Sequence, residues 1–301
     1  METPILFLVF NRPSLTKRVF DEIKKAKPKK LYVAIDGPRQ GNHFDIENIK
    51  QVVEIVTNLD WECKLELLQR EKNLGCGLAV SSAIDWFFSK VEEGIILEDD
   101  CVPSLDFFKF SELMLEKYRK TKTVMAINGS NPFPNESNNY SYSFTSYNLI
   151  WGWATWKDRW AEYKYDLSNE GEIKMLYLLF LKFRFDLISI RSWYKHLKLV
   201  IQKKINTWDY QWIYTCLIKK GLVVTPTYNL IHNIGNDSMD PTHGFIDSFY
   251  IDFPIENRSI FPIRHPKRIK IDPILEKKIR IKRFGNSFIL FLKSKIKKIK
   301  K

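Results

Sequence analysis

What this sequence lacks narrows it first. No stretch approaches the roughly 18 to 20 consecutive apolar residues that a membrane-spanning helix needs. The richest, Met175-Leu-Tyr-Leu-Leu-Phe-Leu181, is broken by Lys182 and Arg184. Cysteine is scarce: Cys63, Cys76, Cys101 and Cys216 show no close-paired metal spacing, so reduced buried thiols and a cytoplasmic protein are the expectation. The opening apolar run, Ile5 to Phe10, is too short for a signal-peptide core, has no basic leader and ends in Asn11-Arg12-Pro13; it reads as a buried strand. No long disordered tract, internal repeat or strong linker divides the chain.

What is present is a globular composition. The 301 residues are 45% hydrophobic, with 21 Phe, 13 Tyr and 9 Trp, enough for one large α/β domain or a main domain with an appendage. The formal net charge of +13 is unevenly spread, because Lys and Arg dominate from Arg264 to Lys301. Within that stretch Ile289, Leu292, Ile296 and Ile299 recur at helical spacing between lysines. This pattern describes either a basic amphipathic helix on an anionic membrane surface or a solvated tail. Nucleic acid is a third polyanion to consider, but no nucleic-acid-binding motif accompanies the charge, so none is expected as a partner.

Along the first 130 residues strand and helix patterns alternate. Ile5 to Phe10, Leu31 to Ile35, Lys64 to Leu68, Gly94 to Leu97 and Val124 to Ile127 read as strands. Between them lie helical stretches from Ser14, from Ile46 to Leu59, through Val80, Ile84 and Phe87, and from Leu105 to Tyr118. The second half is less regular: an edge strand near Ser141 to Tyr147, one long basic helical region from Glu172 to Lys204, a helix from Trp208 to Lys219 and a strand at Val223 to Thr225. Strands separated by helices imply a mainly parallel sheet with right-handed crossovers, and such sheets bind ligands beyond the carboxyl ends of their strands. Asn11-Arg12, Asp36, Arg70, Glu98-Asp99-Asp100 and Asn128 all fall at those ends.

The acidic triplet carries the most chemistry. Three carboxylates at a strand end repel one another unless a cation or another positive partner sits there. One or two carboxylates plus substrate phosphate oxygens is a common way to hold Mg²⁺ or Mn²⁺. Alternation along an extended chain sends Glu98 and Asp100 one way and Asp99 the other. The competing explanation is a cluster of acids at the amino end of the following helix.

Ile5-Leu-Phe-Leu-Val-Phe-Asn-Arg-Pro13, Asp36-Gly37, Ile96-Leu-Glu-Asp-Asp-Cys-Val-Pro-Ser104 and Asp106-Phe-Phe108 resemble the GT-A fold of nucleotide-sugar transferases. The similarity is to bacterial family-2-type enzymes related to the animal N-acetylglucosaminyltransferase I family. Trp151-Gly-Trp153, Thr207-Trp-Asp-Tyr-Gln-Trp212 and Thr242-His-Gly244 follow the same order loosely, and the likeness runs from Ile5 to Phe245. It implies that Asp100 is the metal ligand, Asp99 lies against the donor ribose and Glu98 against the transferred sugar. It further implies that Asp36 bonds the uracil edge, Arg12 faces the nucleotide, Asp209 is the general base, and Thr242 and His243 close over the pyrophosphate. The animal enzymes' membrane anchor and stem have no counterpart here, so their acceptor and location are not carried over.

Read from the residues alone, Asp209 could be a base in a partly dry pocket, with Trp208, Tyr210 and Trp212 as a platform for a sugar ring, or a helix N-cap. His243 could be a metal ligand, a phosphate donor or a plain loop histidine. Arg70 and Asn73-Leu-Gly75 could approach the nucleotide or form an ordinary connection, and Trp151 and Trp153 could be core or acceptor-side wall.

The resulting expectation is a GT-A domain over residues 1–265, with a nucleotide-sugar-binding half (1–130), an acceptor-side half (131–265), and a basic amphipathic tail from 266 to 301. It would be an inverting, Mn²⁺- or Mg²⁺-dependent transferase moving a sugar from a nucleotide-sugar donor, a UDP-sugar by preference, to a glycan or lipid-linked acceptor. Its place would be the cytoplasm or the cytosolic face of the plasma membrane, in surface-polysaccharide synthesis. Two alternatives stand beside it. A nucleotidyltransferase acting on a sugar phosphate would use the same sheet, but Asn11-Arg-Pro-Ser14 lacks the glycine-rich loop such enzymes carry after the first strand. A non-catalytic basic protein bound to membrane or polyanion would account for the charge alone.

Overall fold

A computed structural model describes residues 1–134, 139–183, 186–235, 255 and 258–284. The alternating pattern of the first half folds as a strand–helix series. β1 (Ile5–Val9), β2 (Lys30–Ile35), β3 (Lys64–Gln69) and β4 (Glu93–Glu98) are linked by α1 (Pro13–Ala26), α2 (His43–Thr57) and α3 (Gly75–Lys90). Local chemistry sets the helix starts. Pro13 occupies the first turn of α1, where its missing N–H costs nothing, and the Asn42 side chain accepts from Asp45 N at the head of α2. Leu15, Val19 and Ile23 form the buried face of α1.

β5 (Cys101–Pro103) and α4 (Leu105–Tyr118) follow, then β6 (Val124–Asn128), β7 (Tyr142–Thr145), β8 (Trp153–Trp156) and the single turn α5 (Lys157–Trp160). α6 (Glu172–Phe183), α7 (Leu187–Ile201), α8 (Asp209–Ile218), β9 (Leu222–Pro226), β10 (Ile231–Asn233) and α9 (Pro273–Phe284) complete the described elements. The eight-stranded sheet has the order β3-β2-β1-β4-β8-β6-β9-β7. β1 to β4 pair in parallel, as do β6 and β9; β8 runs antiparallel to both β4 and β6, and β7 is the antiparallel edge. Six strands therefore share one direction and the sheet is mixed. The reversed β8 turns the aromatic-rich Trp153–Trp156 stretch into a central strand.

Three apolar clusters hold the layers together. α1, α2 and α4 cover one face of the sheet, and α3, α5 and α8 cover the other. A third cluster joins α6, α7, part of α8 and α9. The long helix expected from Glu172 to Lys204 is two helices, because the Asp186 side chain accepts from Ser189 N and starts α7 afresh. α9 buries Leu275 and Ile279 in the third cluster, and its Glu276 accepts from Ser146 N at 3.0 Å. Residues 273–284 of the anticipated tail thus belong to the folded body; the amphipathic pattern from Phe288 to Ile299 lies outside the described residues. Among the described residues no helix is long and apolar enough to cross a membrane.

Candidate active site

Beyond the carboxyl ends of β1, β2 and β4 lies a cleft with about 1030 Å³ of empty space. Its wall includes Arg12, Asp36, Arg70 and all three residues of the Glu98-Asp99-Asp100 triplet, together with Arg39, Asn73, Gly75 and Cys76. Eight of the residues singled out from sequence, Asn73 and Gly75 included, are therefore together in one place.

β4 ends at Glu98, so the alternation expected through Asp100 stops there. Asp99 and Asp100 sit in a turn, and one guanidinium meets both. Arg12 Nε donates to Asp99 Oδ2 at 3.1 Å, Arg12 Nη2 donates to Asp99 Oδ1, and the same Nη2 donates to Asp100 Oδ2 at 3.1 Å. Arg12, expected to face the nucleotide, lines the cleft, with its Nε and Nη2 donating to the two aspartates. The acids are not a helix amino-terminal cluster either, since β5 intervenes and Ser104 caps α4 by accepting from Phe107 N.

One arginine does not balance three carboxylates. Burial, with Asp100 and Asp99 beside it, pushes Glu98 up to about 8. Burial also raises Asp99, opposed by Arg12. Burial alone would lower Arg12, but the two aspartates override it and hold the guanidinium firmly charged. Cys76 is driven to about 12, first by burial and then by the charges of Glu98, Asp209, Asp100 and Asp36. The carboxyl groups of the triplet thus raise one another, and they act on Cys76 as well.

Asp209 is the first residue of α8, and Trp208 is the cap residue without a side-chain cap bond. The cap role for Asp209 is not realised. Among the described residues its side-chain hydrogen bond is from the Thr207 hydroxyl to Oδ1, and Oδ2 has none. Its charge is felt at Glu98 and at Cys76, so it stands within electrostatic reach of the cleft. Trp208 and Trp212 are not a sugar platform. They are buried and pack on Trp153 and Trp160, with Trp153 and Trp208 stacked at 5.7 Å, so these indoles are core. Tyr210 stacks on His196 at 5.0 Å instead.

Asp36 is bound by its own neighbourhood. Its carboxylate accepts from Gly37 N, Asn73 Nδ2, Leu74 N and Gly75 N at 2.9 to 3.2 Å, which ties the end of β2 to the head of α3. Arg70 donates to Ser82 Oγ at 2.6 Å, and burial lowers its pKa against the field of Asp36. Thr242 and His243 lie outside the described residues.

Three features escaped the sequence reading. Asp45, fully buried, accepts from Asn11 Nδ2 at 2.7 Å and from Arg39 through N, Nε and Nη2 at 3.0, 2.7 and 2.7 Å, so it fixes two loops at the cleft rim. Asn206 Oδ1 accepts from Gly77 N at 2.8 Å, linking the head of α3 to the segment that ends in Asp209. A Cβ on Gly77 would lie 2.4 Å from that oxygen, so the Gly75-Cys76-Gly77 spacing was the available signal. The third is a small sheet of β5 with β10, which brings Asn233 Nδ2 to 3.4 Å from Asp100 Oδ1 and Gly235 against Asp100 Oδ2.

The donor set decides which metal the site suits. Among the described residues no group of three or more Asp, Glu, His or Cys converges as a metal cage. Asp100 has the donor chemistry for an ion that takes one or two carboxylates and completes its shell with water and phosphate: Oδ2 is held by Arg12 beside Gly235, while Oδ1 has only long contacts, from Cys101 Sγ at 3.3 Å and Asn233 Nδ2 at 3.4 Å.

No protein-family model matches the sequence, and no curated protein does. Solved structures match at low identity and low TM-score. An apo UDP-glucose pyrophosphorylase is 10% identical, with 75% of this chain and 90% of that one covered and a TM-score of 0.37. The 4-diphosphocytidyl-2C-methyl-D-erythritol synthase of Anaerococcus prevotii is 10% identical over 76% and 89%, with a TM-score of 0.38. HddC from Yersinia pseudotuberculosis, solved with GMP-PN, is 10% identical over 52% and 77%, with a TM-score of 0.30. At these values the comparison adds nothing to the geometry.

Proposed function

We propose that this chain is a divalent-metal-dependent transferase that moves a sugar, with inversion, from a nucleoside diphosphate donor (a UDP-sugar by preference) to a hydroxyl of a glycan or lipid-linked acceptor. The observation that carries the reading is the end of β4. Three carboxyl groups enter one cleft there, Arg12 is the one arginine among the described residues that pairs with any of them, and Asp100 borders a glycine. Excess negative charge of that kind suits a site that works with a cation and a phosphate-bearing ligand.

In this reading Asp36, Asn73 and Arg70 form the wall for the nucleoside, and Arg12 locks Asp99 in place beside the ribose. Glu98 lies against the transferred sugar and Asp100 would hold Mg²⁺ or Mn²⁺. When bound, that ion supplies positive charge against the diphosphate as it departs. Asp209 takes the proton of the acceptor hydroxyl on Oδ2, which has no hydrogen bond among the described residues, since a sugar hydroxyl is too weak an acid to attack unaided. Thr242 and His243 are assigned to the diphosphate on the resemblance alone.

Nucleotidyl transfer to a sugar phosphate is the second reading, and the names of the similar structures are on its side, although their TM-scores lend it no weight. The β1–α1 junction argues against it. Asn11 and Arg12 lead straight into Pro13 at the head of α1, without a glycine loop to wrap a triphosphate.

The deciding experiment pairs a thermal-shift screen with product detection. Mn²⁺ plus a nucleotide sugar should raise the melting temperature, and Asp100→Ala should remove that rise. Asp209→Asn should keep the rise while transfer falls by about 10² to 10⁴. Donor stabilisation that survives Asp100→Ala would refute the metal role. Pyrophosphate release from a nucleoside triphosphate and a sugar phosphate would establish the second reading instead.

A further inference from the structure

α6 is apolar on more than one side. Met175, Leu179 and Phe183 turn into the third cluster. Across the helix from them, Ile173, Leu176, Tyr177 and Leu181 recur at three- and four-residue spacing and face solvent; Ile173 is 86% exposed and Tyr177 60%. Leu187, at the start of α7, adds another apolar group at 70%. An ordinary surface helix presents one apolar stripe to the core and polar residues outward. A second, outward stripe marks a surface that meets something apolar.

Leu181 also lines a cleft with about 2480 Å³ of empty space, bounded by α6, the end of α8 and α9. The two carboxylates in its lining are already engaged, Glu276 with Lys182 at 2.8 Å and Asp186 with Arg280. Lys220, Lys270 and Lys277 line the same cleft, are exposed, and have no ion-pair partner among the described residues. An apolar stripe thus runs directly into a wall of spare positive charge.

We propose that this face docks on an anionic membrane surface. The outer stripe of α6 enters the boundary between headgroups and acyl chains, a depth of about 5 to 10 Å, and the three lysines meet lipid phosphates. The pairing of the two features selects this partner. A nucleic acid would satisfy the lysines but leave the α6 stripe in water. The proposal does not depend on the transferase reading. Gly221 places the docking cleft at the amino end of β9, whereas the acidic cleft lies beyond the carboxyl ends of β1, β2 and β4.

The test is co-sedimentation of the full chain with phosphatidylcholine vesicles, either alone or with roughly a third phosphatidylglycerol. The parent should bind the anionic vesicles and leave the neutral ones. Each lysine near an anionic surface is worth about fivefold, so Lys220→Gln/Lys270→Gln/Lys277→Gln should weaken binding about a hundredfold. Ile173→Ser/Tyr177→Ser/Leu181→Ser should weaken it at least tenfold, as the stripe contributes through its apolar area. Should the serine triple melt early, Ile173→Ser alone, at the most exposed position, makes the same comparison with a severalfold loss. A parent that ignores anionic vesicles, or either set of substitutions binding like the parent, overturns the proposal. The second result would transfer any binding to the lysine-rich residues 285–301.

Discussion

Asp45 offers the most exacting test of how the cleft rim is built. It is fully buried and takes four hydrogen bonds, one from Asn11 and three from Arg39. The Arg39 side chain, then its backbone N–H and Asn11, overcome burial and hold the carboxyl at about 2 against an ordinary 3.8. A gap of roughly 1.8 pH units at 1.36 kcal/mol each is about 2.5 kcal/mol. Arg39 is half exposed, so solvent screening trims this to about 2 kcal/mol. Because the folded value is the depressed one, the stabilisation is complete above about pH 5 and is lost as pH falls through 4 toward 2. Roughly half of it should remain at pH 3. Asp45→Asn keeps the shape and removes the charge. Urea unfolding of parent and variant should differ by about 2 kcal/mol at pH 7 and by about half that at pH 3, with the difference closing further below. A difference that stays constant from pH 6 to pH 3, or none at pH 7, would refute the account.

Other substitutions test the remaining framework. Arg12→Ala leaves the buried Asp99 and the partly buried Asp100 without their cation and should cost about 3 to 5 kcal/mol by urea unfolding, with part of the loss recovered in Arg12→Ala/Asp99→Asn. Trp153→Ala empties the centre of the indole cluster and should cost about 3 to 5 kcal/mol. Trp153→Phe should cost far less, since the Trp153 Nε1–H is buried without an acceptor and nothing is lost with it. Gly77→Ala brings a methyl to within 2.4 Å of Asn206 Oδ1 and should cost about 1 to 3 kcal/mol by thermal or urea unfolding, whereas an equal melting curve would show that Asn206 moves aside freely.

Much of the sheet was legible because its signals are local. The continuous apolar runs of β1, β2 and β4 and the three-to-four spacing of α1 and α4 each depend on neighbours a few residues away. The break between α6 and α7 was missed because one aspartate cap outweighs a nearly continuous helical pattern. β8 was not read as a strand because Trp-Ala-Thr-Trp is too short to show a period, and its reversed direction is set by its distant partners β4 and β6.

By itself the sequence determined that an α/β sheet would bring Arg12, Asp36, Arg70 and the acidic triplet to one edge, since strand ends follow from where apolar runs stop. What each group does there was decided only by the tertiary structure. Arg12 reaches Asp99 across 87 residues, and Asn206 reaches Gly77 across 129. Asp36 is drawn onto the head of α3, and the indoles flanking Asp209 are drawn into the core. A charged or aromatic side chain takes its role from whichever partners lie within a few ångströms, and the fold assembles those partners from distant parts of the chain.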